Sequence, residues 1–129
     1  MTAAYRSVRP FHAADLALRL AIVMLALATA HIHSTLGGLL FTLNAIGYTL
    51  GAAAMVAPLE IARRYRWLVR IGLAGYAAVT IAAWAVQGPF YSTAYVAKAI
   101  EVALIALLAV DFVRSGGLPI GPRHASHGA

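Results

Sequence analysis

Cysteine is absent from the chain, which excludes disulfides, thiolate metal sites and thiol nucleophiles. Charge is scarce. Only 11% of residues are charged, against about 25% in a soluble domain. Apolar residues make up 62%, above the usual ~45–50%. So little charge cannot cover a water-facing surface, and the expected solvent is lipid. Acids are scarcer still. Asp15, Glu60, Glu101 and Asp111 face nine arginines and one lysine, for a formal charge of +6. In a soluble protein that excess would point to nucleic acid. Here the arginines fall almost entirely between apolar runs, which fits positive-inside topology, and no nucleic-acid partner is expected. There is no nucleotide-binding glycine loop, zincin motif, catalytically spaced acid pair or Ser/His/Asp set. Enzyme is therefore the weaker class.

What is present is a series of four apolar runs within 129 residues, read as one integral membrane domain. The spans are expected at 13–33, 36–57, 68–86 and 94–113. The first, at 1.5 Å per residue, extends about 31 Å and crosses a bilayer core. Only Ser34 and Thr35 separate it from the second, which predicts a tight antiparallel hairpin. Gly37 and Gly38 are expected to let its backbones approach closely. Pro58 stops the second run. Arg63, Arg64, Arg66 and Arg70 follow, interleaved with Tyr65 and Trp67. They read as a cytoplasmic loop lying against anionic lipid headgroups. Gln87, Gly88 and Pro89 close the third run. Trp84, Phe90, Tyr91 and Tyr95 around them suit an outer aromatic belt. The tail 116–129 is expected to be disordered, and its His124 and His127 are weak metal evidence.

With both termini inside, all nine arginines are cytoplasmic and only Lys98 lies toward the outer face. The fold class expected is all-α: an antiparallel four-helix transmembrane bundle with both termini cytoplasmic, multi-pass in the cell's inner (plasma) membrane. Local ion pairs are expected for Asp15–Arg19, Glu60–Arg64 and Asp111–Arg114. Gly47 and Gly51 form a small-xxx-small element, read as packing within the bundle rather than dimerisation. Ala45-Ile46-Gly47-Tyr48 resembles Leu73-Ala74-Gly75-Tyr76. Those helices run in opposite directions, so the likeness reads as chance. A rival account takes Arg6, Arg9, the apolar core 20–28 and Ala28-Thr29-Ala30 as a signal peptide cleaved after Ala30.

In so apolar a chain each buried polar group is a functional candidate. Counting from the outer face puts Asn44 and Glu101 each about 12 Å deep and Lys98 about 7 Å deep. His31 and His33 end the first span at that face. These five groups share one layer. Asn44, Lys98 and Glu101 are the candidate ligand-binding residues. Lys98 and Glu101 are three apart and read either as a neutralising pair or as an inward glutamate that serves as a proton or cation site. His31 and His33 with Glu101 are the candidate metal set, suited to Zn or Cu. Two residues of helix rotate them about 200° apart, so a joint site needs an irregular turn. No cofactor is expected beyond that metal ion.

The run Gly38–Ala57, GLLFTLNAIGYTLGAAAMVA, resembles a group of small bacterial four-span membrane proteins. Their second helix reads G-x-L-F-x-L-N-A-x-G, after a histidine near the end of the first helix and before a glutamate in the fourth. The matching residues here are His31 or His33, Gly38, Leu40, Phe41, Leu43, Asn44, Ala45, Gly47 and Glu101. The resemblance implies architecture and no settled activity. The expected function is a non-enzymatic accessory or scaffold subunit, alone, as a homo-oligomer or in a larger membrane complex. The alternative is transport or binding of a metal ion, proton or small ligand through the polar layer.

Overall fold

Helix formers fill most of the apolar runs, and Gly or Pro stands at each point where a run turns. The computed structural model describes residues 13–117. The described residues are all-α, with five helices: α1 (Ala13–Thr35), α2 (Leu39–Val56), α3 (Glu60–Arg64), α4 (Arg66–Gln87) and α5 (Ser92–Arg114). Three of them, α1, α2 and α4, are each long and apolar enough to cross a membrane. The expectations for the arm with Arg6 and Arg9, for Arg123, and for the tail from residue 118 with His124 and His127 lie outside the described residues.

The element ends follow from local chemistry. α1 continues through Ser34 and Thr35, so the first connection is Leu36-Gly37-Gly38 rather than Ser34-Thr35. Gly37 and Gly38 have φ of 71° and 93°, which only glycine adopts without strain. A Cβ at either would meet nothing within 4 Å. Their role is therefore the turn and not the close approach expected of them. Pro58 holds Ala57 extended and ends α2. The basic connection is not all loop, because its first part forms the short helix α3. Gly88 ends α4 at φ 71°.

α1 packs most extensively on α2, then on α5; α4 packs on α5 and, less closely, on α2. The four long helices thus form a ring in which α1 and α4 stand opposite. Small residues make the close contacts: Ala26, Ala52, Ala77 and Ala97 are each at most 2% exposed. Ile22, Tyr48, Met55, Leu104 and Leu108 fill the centre. The surface is inverted relative to a soluble protein. Leu39 is 76% exposed, Met24 66% and Val86 83%, while Glu101, Thr29, His33, Arg70, Lys98 and Asp111 are buried. A face of that kind has lipid or protein as its partner.

Three expected ion pairs are replaced by tertiary or shorter ones. Asp15 meets Arg114 of α5 at 2.8 Å rather than pairing with Arg19. Asp111 meets Arg70 of α4 at 2.5 Å rather than Arg114. Glu60 pairs with Arg63 and not Arg64. Pairs along one helix were the only partners visible without tertiary structure. The first two lose to partners on neighbouring helices, and the third to a residue one position nearer in a helix of only five residues.

Candidate functional site

Glu101 on α5 is completely buried. Its carboxylate is met from three helices. Thr29 of α1 donates to Oε1 at 3.1 Å, and Thr80 of α4 and Lys98 of α5 reach Oε2 at 3.0 and 2.8 Å. Thr80 has one proton and two acceptors within reach, Glu101 Oε2 and the Ala77 carbonyl at 2.9 Å. Either choice leaves Thr80 Oγ1 as the acceptor for the Tyr48 hydroxyl at 3.0 Å. Tyr48 therefore donates, and when Thr80 gives its proton to Glu101 a relay runs from α2 through α4 to α5.

His33 completes the group. Its Nδ1 lies 2.8 Å from the Thr29 carbonyl, which can only accept, so Nδ1 carries the proton. Nε2 then faces Glu101 Oε1 at 3.7 Å, beyond hydrogen-bond reach. Protonation of Nε2 would turn this approach into an ion pair. The His33 ring also packs against Tyr48 and Phe41, at centroid distances of 5.8 and 6.1 Å.

Asn44 does not meet Glu101. Its Oδ1 accepts from the Tyr76 hydroxyl at 2.7 Å. The Tyr76 ring stands edge-on to Tyr48 with centroids 5.0 Å apart. Asn44 is thus joined to the glutamate through two tyrosines and Thr80. Above this group lies a pocket of about 220 Å³. Its polar points are His33, Asn44, Tyr76, Thr80 and Lys98, with Gln87 and Tyr91 toward the α4–α5 turn, and its other walls include Leu40, Phe41, Val79 and Trp84. Trp84, Pro89 and Tyr91 of the α4–α5 turn line its rim; the Trp84 ring stands edge-on to Phe90 and Tyr95, with centroids 5.4 and 5.0 Å away, and its Nε1–H donates to the Pro89 carbonyl at 2.6 Å.

The structure brings His33, Lys98 and Glu101 together and holds Asn44 nearby. His31 is exposed and stands apart. Among the described residues no three His, Asp or Glu side chains converge as a metal set would require. Glu101 both pairs with Lys98 and faces the interior, which joins the pairing of one reading to the inward placement of the other. Four participants escaped sequence reasoning: Thr29, Tyr48, Tyr76 and Thr80. A signal was available. Thr29–His33, Asn44–Tyr48 and Tyr76–Thr80 are each four apart, and Lys98–Glu101 three apart, so each long helix carries two polar groups one turn apart at the same end of the bundle. The chance likeness of Gly47-Tyr48 and Gly75-Tyr76 marks the two tyrosines that meet.

At the opposite end Arg70 and Asp111 form a second buried pair, each side chain at most 8% exposed. Arg70 is thereby removed from the arginines expected to face lipid. Between the two pairs α5 turns Leu104 and Leu108 inward, against Ile22 and Met55. Ten residues of helix make this plug about 15 Å long. Comparison with family models, curated proteins and solved structures returns no significant match.

Proposed function

We propose that the chain is a four-span protein of the plasma membrane that binds a small, neutral, mainly apolar ligand in the pocket above Glu101. In this reading α5 is the fourth span, both termini are cytoplasmic and the pocket faces outward. The charge pattern supports that orientation: the pocket end holds Lys98 alone, and the other end holds the arginines. The fit to the small bacterial four-span group belongs to the same proposal.

The observation that carries the reading is an apolar pocket whose polar points His33, Thr80 and Lys98 are the groups set around the sealed Glu101 carboxylate. An apolar cavity with a few convergent polar groups is the usual form of a ligand site. Lys98 and Glu101 neutralise each other, and His33 in its Nδ1–H form adds no charge, so the pocket favours a neutral ligand. Asn44 has spent its oxygen on Tyr76 and keeps its two N–H donors. Lys98 has two more beyond its bond to Glu101. These donors, set beside Glu101, favour a carbonyl or similar acceptor on the ligand at that end of the pocket. The volume lies below the ~300–1,000 Å³ of drug-sized sites, so the ligand is small. The leucine plug favours binding over conduction, because an ion crossing it would lose its hydration for about 15 Å.

Trp84 offers the test. In a Trp67→Phe background it is the sole tryptophan. Titration with a panel of small neutral ketones, quinones and amides is expected to give saturable quenching with at least one of them. Asn44→Leu, which removes the donors and keeps the bulk, should weaken that binding by about tenfold. A panel that quenches only linearly, or a curve unchanged in Asn44→Leu, would contradict the proposal.

A further inference from the structure

Four acidic side chains serve the whole chain, and each is already engaged by a base. Asp15 meets Arg114, Glu60 meets Arg63, Glu101 meets Lys98 and Asp111 meets Arg70. No uncommitted carboxylate side chain is left for Arg19 of α1 or Arg66 of α4. Yet both guanidinium groups are partly withdrawn from solvent, and the Nε atom of each is buried without a hydrogen-bond partner. Arg66 places one terminal nitrogen 3.2 Å from the Ala57 carbonyl. It also lies within the repulsive field of Arg19, Arg70 and Arg63, with Asp111 the one opposing charge. α1 and α4 stand opposite in the ring of helices, so like charges converge across the end of the bundle.

Buried donors and converging like charges are both unfavourable until an anion joins them. The Nε and one terminal nitrogen of a guanidinium present two parallel N–H groups that match two oxygens of a phosphate. We propose that Arg19 and Arg66 together hold a phosphate group between α1 and α4 at the arginine-rich end of the bundle. Basic pockets between spans are known headgroup sites. The phosphate belongs either to an anionic phospholipid or to a free anion, and the two sources are separable. This site stands independently of the pocket above Glu101.

The test uses the full chain, delipidated in neutral detergent. Native mass spectrometry compares retention of phosphatidylglycerol with phosphatidylcholine, and calorimetry titrates inorganic phosphate. The wild type is expected to bind one phosphatidylglycerol, or one inorganic phosphate, at least about tenfold more tightly than Arg19→Gln/Arg66→Gln. Arg63→Gln/Arg64→Gln removes the same charge from the exposed helix α3 and is expected to bind as the wild type does. Arg19→Lys/Arg66→Lys keeps the charge and fold but lacks the two-donor edge, and should also bind more weakly. Preference for phosphatidylglycerol alone assigns a lipid headgroup; binding of inorganic phosphate as well assigns a free anion. The proposal is overturned if neither probe binds the wild type, if the Arg63/Arg64 variant loses as much, or if the lysine pair binds as tightly as the wild type.

Discussion

Glu101 is sealed from solvent, with Thr29, Thr80 and Lys98 within hydrogen-bond reach of its carboxylate. Glu101→Gln keeps the side chain's shape and strands the Lys98 ammonium. Breaking a buried pair from one side costs about 3–5 kcal/mol. Thermal unfolding in detergent should register that loss for Glu101→Gln and recover most of it in Glu101→Gln/Lys98→Met. A double variant no more stable than the single would mean that the two residues are not coupled. Composition alone marked Glu101, Lys98 and Asn44, because an ionisable or amide group stands out in an apolar chain. Thr29, Thr80, Tyr48 and Tyr76 did not stand out. Hydroxyls are common in apolar helices, and only the neighbouring helix decides which of them turn toward a carboxylate.

The helices approach one another through small residues on one face and leave other small residues open. A Cβ on Gly47 would lie 2.7 Å from the Tyr76 hydroxyl oxygen and 2.9 Å from Cζ. Gly47→Ala should therefore push the ring off Asn44 and cost about 1–3 kcal/mol by overpacking. Gly51→Ala meets Leu73 Cδ1 at 2.7 Å, but a leucine rotates more readily than a tyrosine ring, and the smaller loss is expected there. Gly72→Ala and Gly75→Ala meet nothing within 4 Å. Each should be neutral or stabilising by up to about 1 kcal/mol through helix propensity. Unfolding midpoints of the four variants check the order, and equal losses in all four would contradict this packing. The apolar periods and the Gly and Pro stops made the helices themselves legible. Lateral order was not, since Asp15, Asp111 and Glu60 each had a helical neighbour of opposite charge and chose another partner.

For the whole molecule, the charge asymmetry, the sealed carboxylate and the leucine plug describe a bundle polar at both ends and closed between them. The inverted surface, with buried ions inside and exposed leucines outside, was foreseeable from composition. The pocket was not, because it arises where the ends of four helices and the Gly88-Pro89 turn meet. The natural lack of cysteine makes one measurement decisive. Ala97 lines the pocket and is 2% exposed; Ala26 lies in the core at 0%. Each is replaced by cysteine, as the sole thiol, in vesicles of known sidedness, and a small membrane-impermeant thiol reagent is applied to one face at a time. Ala97→Cys is expected to be labelled from the outer face only, and Ala26→Cys from neither. Labelling of Ala97→Cys from the inner face, or from neither face, would contradict an outward pocket that ends at Glu101.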